Sequence, residues 1–232
     1  MTSQEPSQTA SAVYVYEAPL RLWHWINAGA IVVLMITGYL IGNPPWPLQI
    51  GQPSNHYLMG DVRFLHFTAA YVFAIGLLFR VYWAFVGNAH ARELFIVPIW
   101  KKTWWQGLWH EIRWYLFLDR KPRKYIGHNP LAQSAMFGLF VVGAVFQIIT
   151  GFALYGEGTG YGSWQYNLFT SWVMPLFGNS QNVHTWHHLG MWYLVIFVIA
   201  HVYVAVREDI MSQQSMVSTM VSGWRYFRGD QS

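Results

Sequence analysis

The chain has 232 residues, 54% of them hydrophobic and only 10% Lys, Arg, Asp or Glu, with a formal charge of +4. So few charges exclude an ordinary soluble domain, in which about a quarter of residues are charged. With no cysteine, disulfides, cysteine-held iron–sulfur clusters and CxxCH attachment of a cofactor are excluded as well.

In chain order, the polar start Met1–Ala12 reads as a disordered tail. Residues 1–20 lack a continuous apolar run, so no cleavable signal peptide is expected and the first span acts as an uncleaved anchor. Four apolar stretches are long enough to cross a bilayer, over about 22–42, 62–86, 131–155 and 186–207. Trp23 and Trp25 suit the membrane interface at the start of the first. A Gly/Pro-rich connection (Gly42-Asn-Pro-Pro-Trp-Pro) leads to Asp61, a candidate N-cap for the second. Between spans two and three, Thr103–Leu118 reads as an interfacial helix. Its apolar stripe is Trp105, Leu108, Trp109, Ile112 and Leu116, with Gln106, His110 and Arg113 on the other side. Asn129-Pro130 starts span three, residues 208–232 read as a polar tail, and no internal repeat is evident. The expected fold is an all-α integral membrane protein, a four-helix transmembrane bundle forming one domain over 1–232.

Charge sets the orientation. Residues 87–130 carry eight Lys or Arg, and the other two connections, 43–61 and 156–185, carry none. By the positive-inside rule the 87–130 connection and both termini are cytoplasmic, which agrees with Arg21, Arg207, Arg225 and Arg228. Because these cations flank spans, nucleic-acid binding is not expected.

Histidine spacing carries the chemistry. His187 and His201 lie fourteen residues apart on the last span. At about 100° and 1.5 Å per residue they share one face, roughly 21 Å apart. His24 and His66 fall on two other spans at opposite depths. Span direction then pairs His66 with His187 near the periplasmic side and His24 with His201 near the cytoplasmic side. Each pair can give two axial imidazoles to one haem iron, so the chain reads as a di-haem b-type cytochrome suited to electron transfer. His184 and His188 lie off the His201 face, which favours His187; His184 is left to cap the helix or meet a partner.

Arg21 and Arg63 each precede a candidate ligand by three residues. They can pair with haem propionates or simply anchor the helices at the interface. Arg80 lies fourteen residues after His66, on its face at the depth of the cytoplasmic haem. Gly38, fourteen after His24, gives room for a macrocycle or for helix packing. His56, His90, His110 and His128 fall in connections, where solvated roles are expected; a proton relay to quinone is the alternative for His110.

The chain resembles the cytochrome b subunit of membrane-bound NiFe uptake hydrogenases, from Val13 to about Trp224. The matching stretches include Tyr16-Glu-Ala-Pro-Leu-Arg-Leu-Trp-His24-Trp, Met35-Ile-Thr-Gly-Tyr-Leu-Ile-Gly42, Val81-Tyr-Trp-Ala-Phe-Val-Gly-Asn88 and His184-Thr-Trp-His187-His-Leu-Gly-Met-Trp192. Glu93-Leu-Phe-Ile-Val-Pro-Ile-Trp100 and Gly127-His-Asn-Pro130 also match. The resemblance extends to the gamma subunits of formate dehydrogenases. It implies a periplasmic partner made of large and small hydrogenase subunits, whose iron–sulfur clusters feed two haem b groups that reduce membrane quinone. The location implied is a bacterial inner membrane, and this chain would transfer electrons without breaking H–H bonds. The other readings are a gamma subunit serving formate dehydrogenase or a similar enzyme, and a haem-free membrane anchor. A stand-alone quinol oxidase is disfavoured, since bis-histidine haems leave no open site.

Overall fold

The computed structural model describes residues 11–45 and 57–227. Residues 1–10 of the expected tail, Trp46 and Pro47 of the first connection, His56 and Arg228 lie outside them.

A short strand β1 (Ser11–Tyr14) precedes α1 (Ala18–Gly42) and α2 (Leu58–Val86). A 3₁₀ turn (Ala89–Arg92) leads to α3 (Lys102–Tyr115). α4 (Pro130–Ala135) runs through a π-helical segment, Met136–Val141, into α5 (Val142–Thr159). A second π segment, Tyr166–Thr170, opens α6 (Ser171–Phe177), followed by α7 (Ser180–Ser212), α8 (Met216–Ser222) and β2 (Trp224–Phe227). Among the described residues, four helices are long and apolar enough to cross a membrane: Ala18–Gly42, Leu58–Val86, Pro130–Thr159 and Ser180–Ser212. The described residues are all-α apart from one two-stranded sheet, and the protein is a multi-pass membrane protein.

The helices begin earlier than hydropathy alone suggests. α2 starts a turn before Asp61, whose backbone N–H already donates to Tyr57 O at 3.0 Å. Asp61 is therefore a first-turn residue rather than the N-cap, and its charge still complements the helix dipole. α7 starts at Ser180, so His184 is within the helix and not its cap; its Nδ1 lies 3.0 Å from Ser180 O. Asn129 does cap α4, accepting from Ala132 N at 2.7 Å with Pro130 at the first helical position.

One compact unit comprises Trp25–Val81 and Gly138–Val198. In it α1, α2, α5 and α7 pack as a four-helix bundle. Phe67 meets Tyr155 edge-on with ring centres 4.7 Å apart, and Phe140 stacks on Phe197 at 5.6 Å. At Gly143 a Cβ would lie 2.8 Å from the Tyr193 ring, so only glycine permits this approach of α5 to α7. Outward residues such as Phe64 (73% exposed), Leu78 (70%) and Ile196 (67%) suit contact with lipid. The 156–185 connection is not an open loop. Its π and α6 turns fold back so that Thr170 donates to Ala153 O at 2.8 Å, and Ala153, Val173 and Val183 form a buried cluster.

The other unit comprises the segment ending at His24, Tyr82–Phe137, and the chain from Ile199 onward. β1 pairs antiparallel with β2, Ser11 opposite Phe227 through Tyr14 opposite Trp224. The expected polar tail from 208 is therefore the end of α7, then α8, then a strand. Val15, Tyr16, Leu20 and Ala91 form its small apolar core. α3 buries Trp104, Gly107, Glu111 and Trp114, leaving Trp105, Trp109 and Leu116 of the expected apolar stripe exposed. It stops at Tyr115, short of Leu118, because Phe117 adopts a left-handed φ of 59°.

Candidate functional site

The candidate histidines come in pairs. His66 on α2 and His187 on α7 are half-buried in the bundle unit, where the His66 ring and Met191 of α7 both face Gly38. His66 Nδ1 lies 2.8 Å from the Thr37 hydroxyl on α1, and His187 Nδ1 lies 2.8 Å from the Thr150 hydroxyl on α5. Both threonines are buried, 4% and 1% exposed. Each donates its own hydrogen back to its helix, Thr37 to Val33 O at 2.6 Å and Thr150 to Phe146 O at 2.8 Å. The Gly38 backbone, after Thr37, faces the ring of His66: a Cβ there would be 3.3 Å from His66 Cε1. The neighbours of His187 turn elsewhere. His184 is exposed, while His188 Nε2 accepts from Trp192 Nε1 at 3.2 Å and its ring packs on Gly42.

In the other unit His24 on α1 and His201 on α7 face each other with ring centres 6.4 Å apart and planes 54° apart. Two imidazoles on opposite sides of one iron, each nitrogen about 2 Å from the metal, have ring centres about 6 Å apart. The observed separation fits that requirement. Among the described residues no group of three or more His, Cys, Asp or Glu could hold a bare metal ion. Paired histidines suit an iron whose other four positions are filled by a macrocycle.

The arginines differ from one another. Arg21 donates to Val221 O and packs against Gly223, which ties α1 to α8. Arg63 is exposed on α2, and Arg80 is buried, 2% exposed.

Two ionisable clusters in the same unit as His24 escape a reading of the sequence. Glu93 accepts from His90 Nδ1 at 2.6 Å and from His128 at both its backbone N–H (2.8 Å) and its Nδ1 (3.0 Å). Burial pushes its carboxyl up, but the bonds and charge of His128, with His90, outweigh that and hold it below the usual range. Glu111 on α3 is buried near Glu208; burial first, then the Glu208 charge, raises its carboxyl to about 7. Trp114 Nε1 donates to Glu208 at 3.1 Å, and the Arg207 guanidinium lies over the Tyr115 ring at 4.6 Å. His110 pairs with Asp119 at 3.2 Å, where Arg113 also binds at 3.1 Å.

Comparison with known proteins agrees with this architecture. The family described as prokaryotic cytochrome b561 matches residues 15–223. A protein of Azotobacter chroococcum mcd 1 is 66% identical over 227 residues, 98% of this chain and 94% of its own length. One of Cupriavidus necator is 59% identical, covering 95% of this chain and 90% of its own length. Both are named probable Ni/Fe-hydrogenase B-type cytochrome subunit. One of Escherichia coli K12, named probable Ni/Fe-hydrogenase 1 B-type cytochrome subunit, is 53% identical, with 96% and 94% covered. The chain therefore belongs to the prokaryotic cytochrome b561 family and, within it, to the Ni/Fe-hydrogenase B-type cytochrome subunits.

Proposed function

We propose that this chain is the di-haem membrane subunit that carries electrons from the iron–sulfur clusters of a periplasmic Ni/Fe hydrogenase to membrane quinone. In this reading His66 and His187 hold one haem b, and His24 and His201 hold the other. The observation that carries it is the pairing of imidazoles, above all the 6.4 Å between the His24 and His201 rings. Haem b supplies one-electron chemistry when bound. The protein's own residues fix the imidazoles, enclose them in apolar side chains and set their hydrogen bonding. The chain splits no hydrogen itself: it has no cysteine to hold a nickel–iron centre.

The partners are the large and small hydrogenase subunits, docked on the side of the 43–61 and 156–185 connections, which carry no Lys or Arg. Both termini and the 87–130 connection lie on the cytoplasmic face of a bacterial inner membrane. The eight cations of that connection support this orientation, and the pairing of β1 with β2 keeps residues 11–14 and 224–227 on one side. α3 lies at the cytoplasmic interface, with Trp105 and Trp109 toward lipid. Arg63 and Arg80 are assigned to haem propionates, and Gly38 leaves room beside a macrocycle. The bond from Arg21 to Val221 favours anchoring for that residue.

Membranes carrying the intact complex test this directly. Hydrogen gas should reduce the whole b-type α band that dithionite reduces, and added oxidised quinone should reoxidise it. A band that dithionite reduces and hydrogen does not would assign the chain to another donor.

A further inference from the structure

The two buried threonines belong to a repeated sequence, Ile36-Thr-Gly-Tyr39 on α1 and Ile149-Thr-Gly-Phe152 on α5. Each copy grips one histidine of the same pair, and does so twice. The threonine hydroxyl meets Nδ1 at 2.8 Å in both. The glycine after it faces the ring edge, where a Cβ would lie 3.3 Å from His66 Cε1 or 3.1 Å from His187 Cε1.

The direction of the hydrogen bond follows from counting hydrogens. A threonine hydroxyl has one, and here it is directed to the carbonyl four residues back, at 2.6 Å for Thr37 and 2.8 Å for Thr150. Toward the imidazole the oxygen can then only accept, so Nδ1 carries the hydrogen. Nε2 is left as the bare nitrogen, the form in which a neutral imidazole binds a metal. A buried threonine needs no histidine to be satisfied, since its bond to the helix carbonyl suffices. The same second contact made twice, by the same tripeptide, goes beyond packing.

We propose that Thr37 and Thr150 are positioning residues that fix the tautomer and orientation of His66 and His187 and thereby lower the reduction potential of the iron between them. The proposal rests on the axial-ligand reading given above. An Nδ1–H donated to an acceptor makes Nε2 a stronger electron donor, which favours ferric over ferrous iron. Both ligands of one iron receive this treatment.

The test is a redox titration of the α band in the purified complex for Thr37→Val, Thr150→Val, the double variant, Thr37→Ser and Thr150→Ser. The transition that disappears in His66→Ala identifies the haem concerned. Each valine variant should move that midpoint upward and leave the other haem's midpoint in place, the double variant should move it further, and serine should restore it. Loss of that haem with valine but not with serine would also support the proposal. Unchanged midpoints with valine, or serine variants that shift or lose haem as valine does, would overturn it. If His66→Ala retained both haems, the axial-ligand reading itself would fail, whatever the threonine variants did.

Discussion

Glu93 and His128 meet twice through one atom: Glu93 Oε2 accepts from the His128 backbone N–H at 2.8 Å and from its ring Nδ1 at 3.0 Å. The other carboxylate oxygen takes His90, and the Gly127 backbone packs so closely that a Cβ there would collide with the carboxylate. Two segments, His90–Glu93 and Gly127–His128, are tied at one acid. The folded-state carboxyl is held below 4.5, so it stabilises the fold above that pH, and the contribution is lost as pH falls through 4.5 toward the lower folded value. Glu93→Gln should lower the thermal midpoint of the detergent-solubilised protein at pH 7 and narrow its difference from wild type near pH 4. An equal difference at both pH values would show that the charge of Glu93 contributes nothing.

Glu111 has the opposite sign. Its carboxyl titrates at about 7 in the fold against 4.5 otherwise, because it is buried beside Glu208. It therefore favours the folded state below 4.5, and that advantage is lost as pH rises from 4.5 through about 7. Glu111→Gln, which stays neutral, should flatten the fall in thermal stability between pH 5 and pH 8. Parallel curves for variant and wild type would contradict the buried-acid reading.

Gly151→Ala and Gly42→Ala separate His187 from His188. A Cβ at Gly151 would lie 3.1 Å from His187 Cε1, and one at Gly42 would lie 2.9 Å from the His188 ring. Alanine improves helix propensity by about 1 kcal/mol over glycine, so neither change should weaken the helix itself. Gly151→Ala should lower occupancy or shift the spectrum of one haem, and Gly42→Ala should leave both intact. Haem content falling in Gly42→Ala and not in Gly151→Ala would make His188 the ligand.

Long-period features were legible in the sequence. Apolar runs gave the four spans. Span direction put His24 with His201, and their rings lie 6.4 Å apart. What escaped depends on tertiary neighbours. Thr37 and Thr150 look neutral within apolar runs, and their purpose shows only beside the helices that bring His66 and His187. The repeat they form is too short to stand out from the apolar background. The Glu93–His128 contact joins residues thirty-five apart, on either side of α3, which no local pattern links. The β1–β2 pair closes a loop of some two hundred residues, from segments whose polar character reads as tail. α3 was visible as a helix, but its packed side is set by Trp104 and Trp114, whose partners Gln133 and Glu208 no local pattern reveals.

Two haems on two histidine pairs, as proposed, are measured most directly as haem b per polypeptide. Pyridine haemochrome assays on the purified protein should give two haems for wild type. His66→Ala and His187→Ala should each lose the same haem, and His24→Ala and His201→Ala should each lose the other. A wild-type protein with no haem, or His66→Ala and His24→Ala losing the same spectral component, would contradict the account.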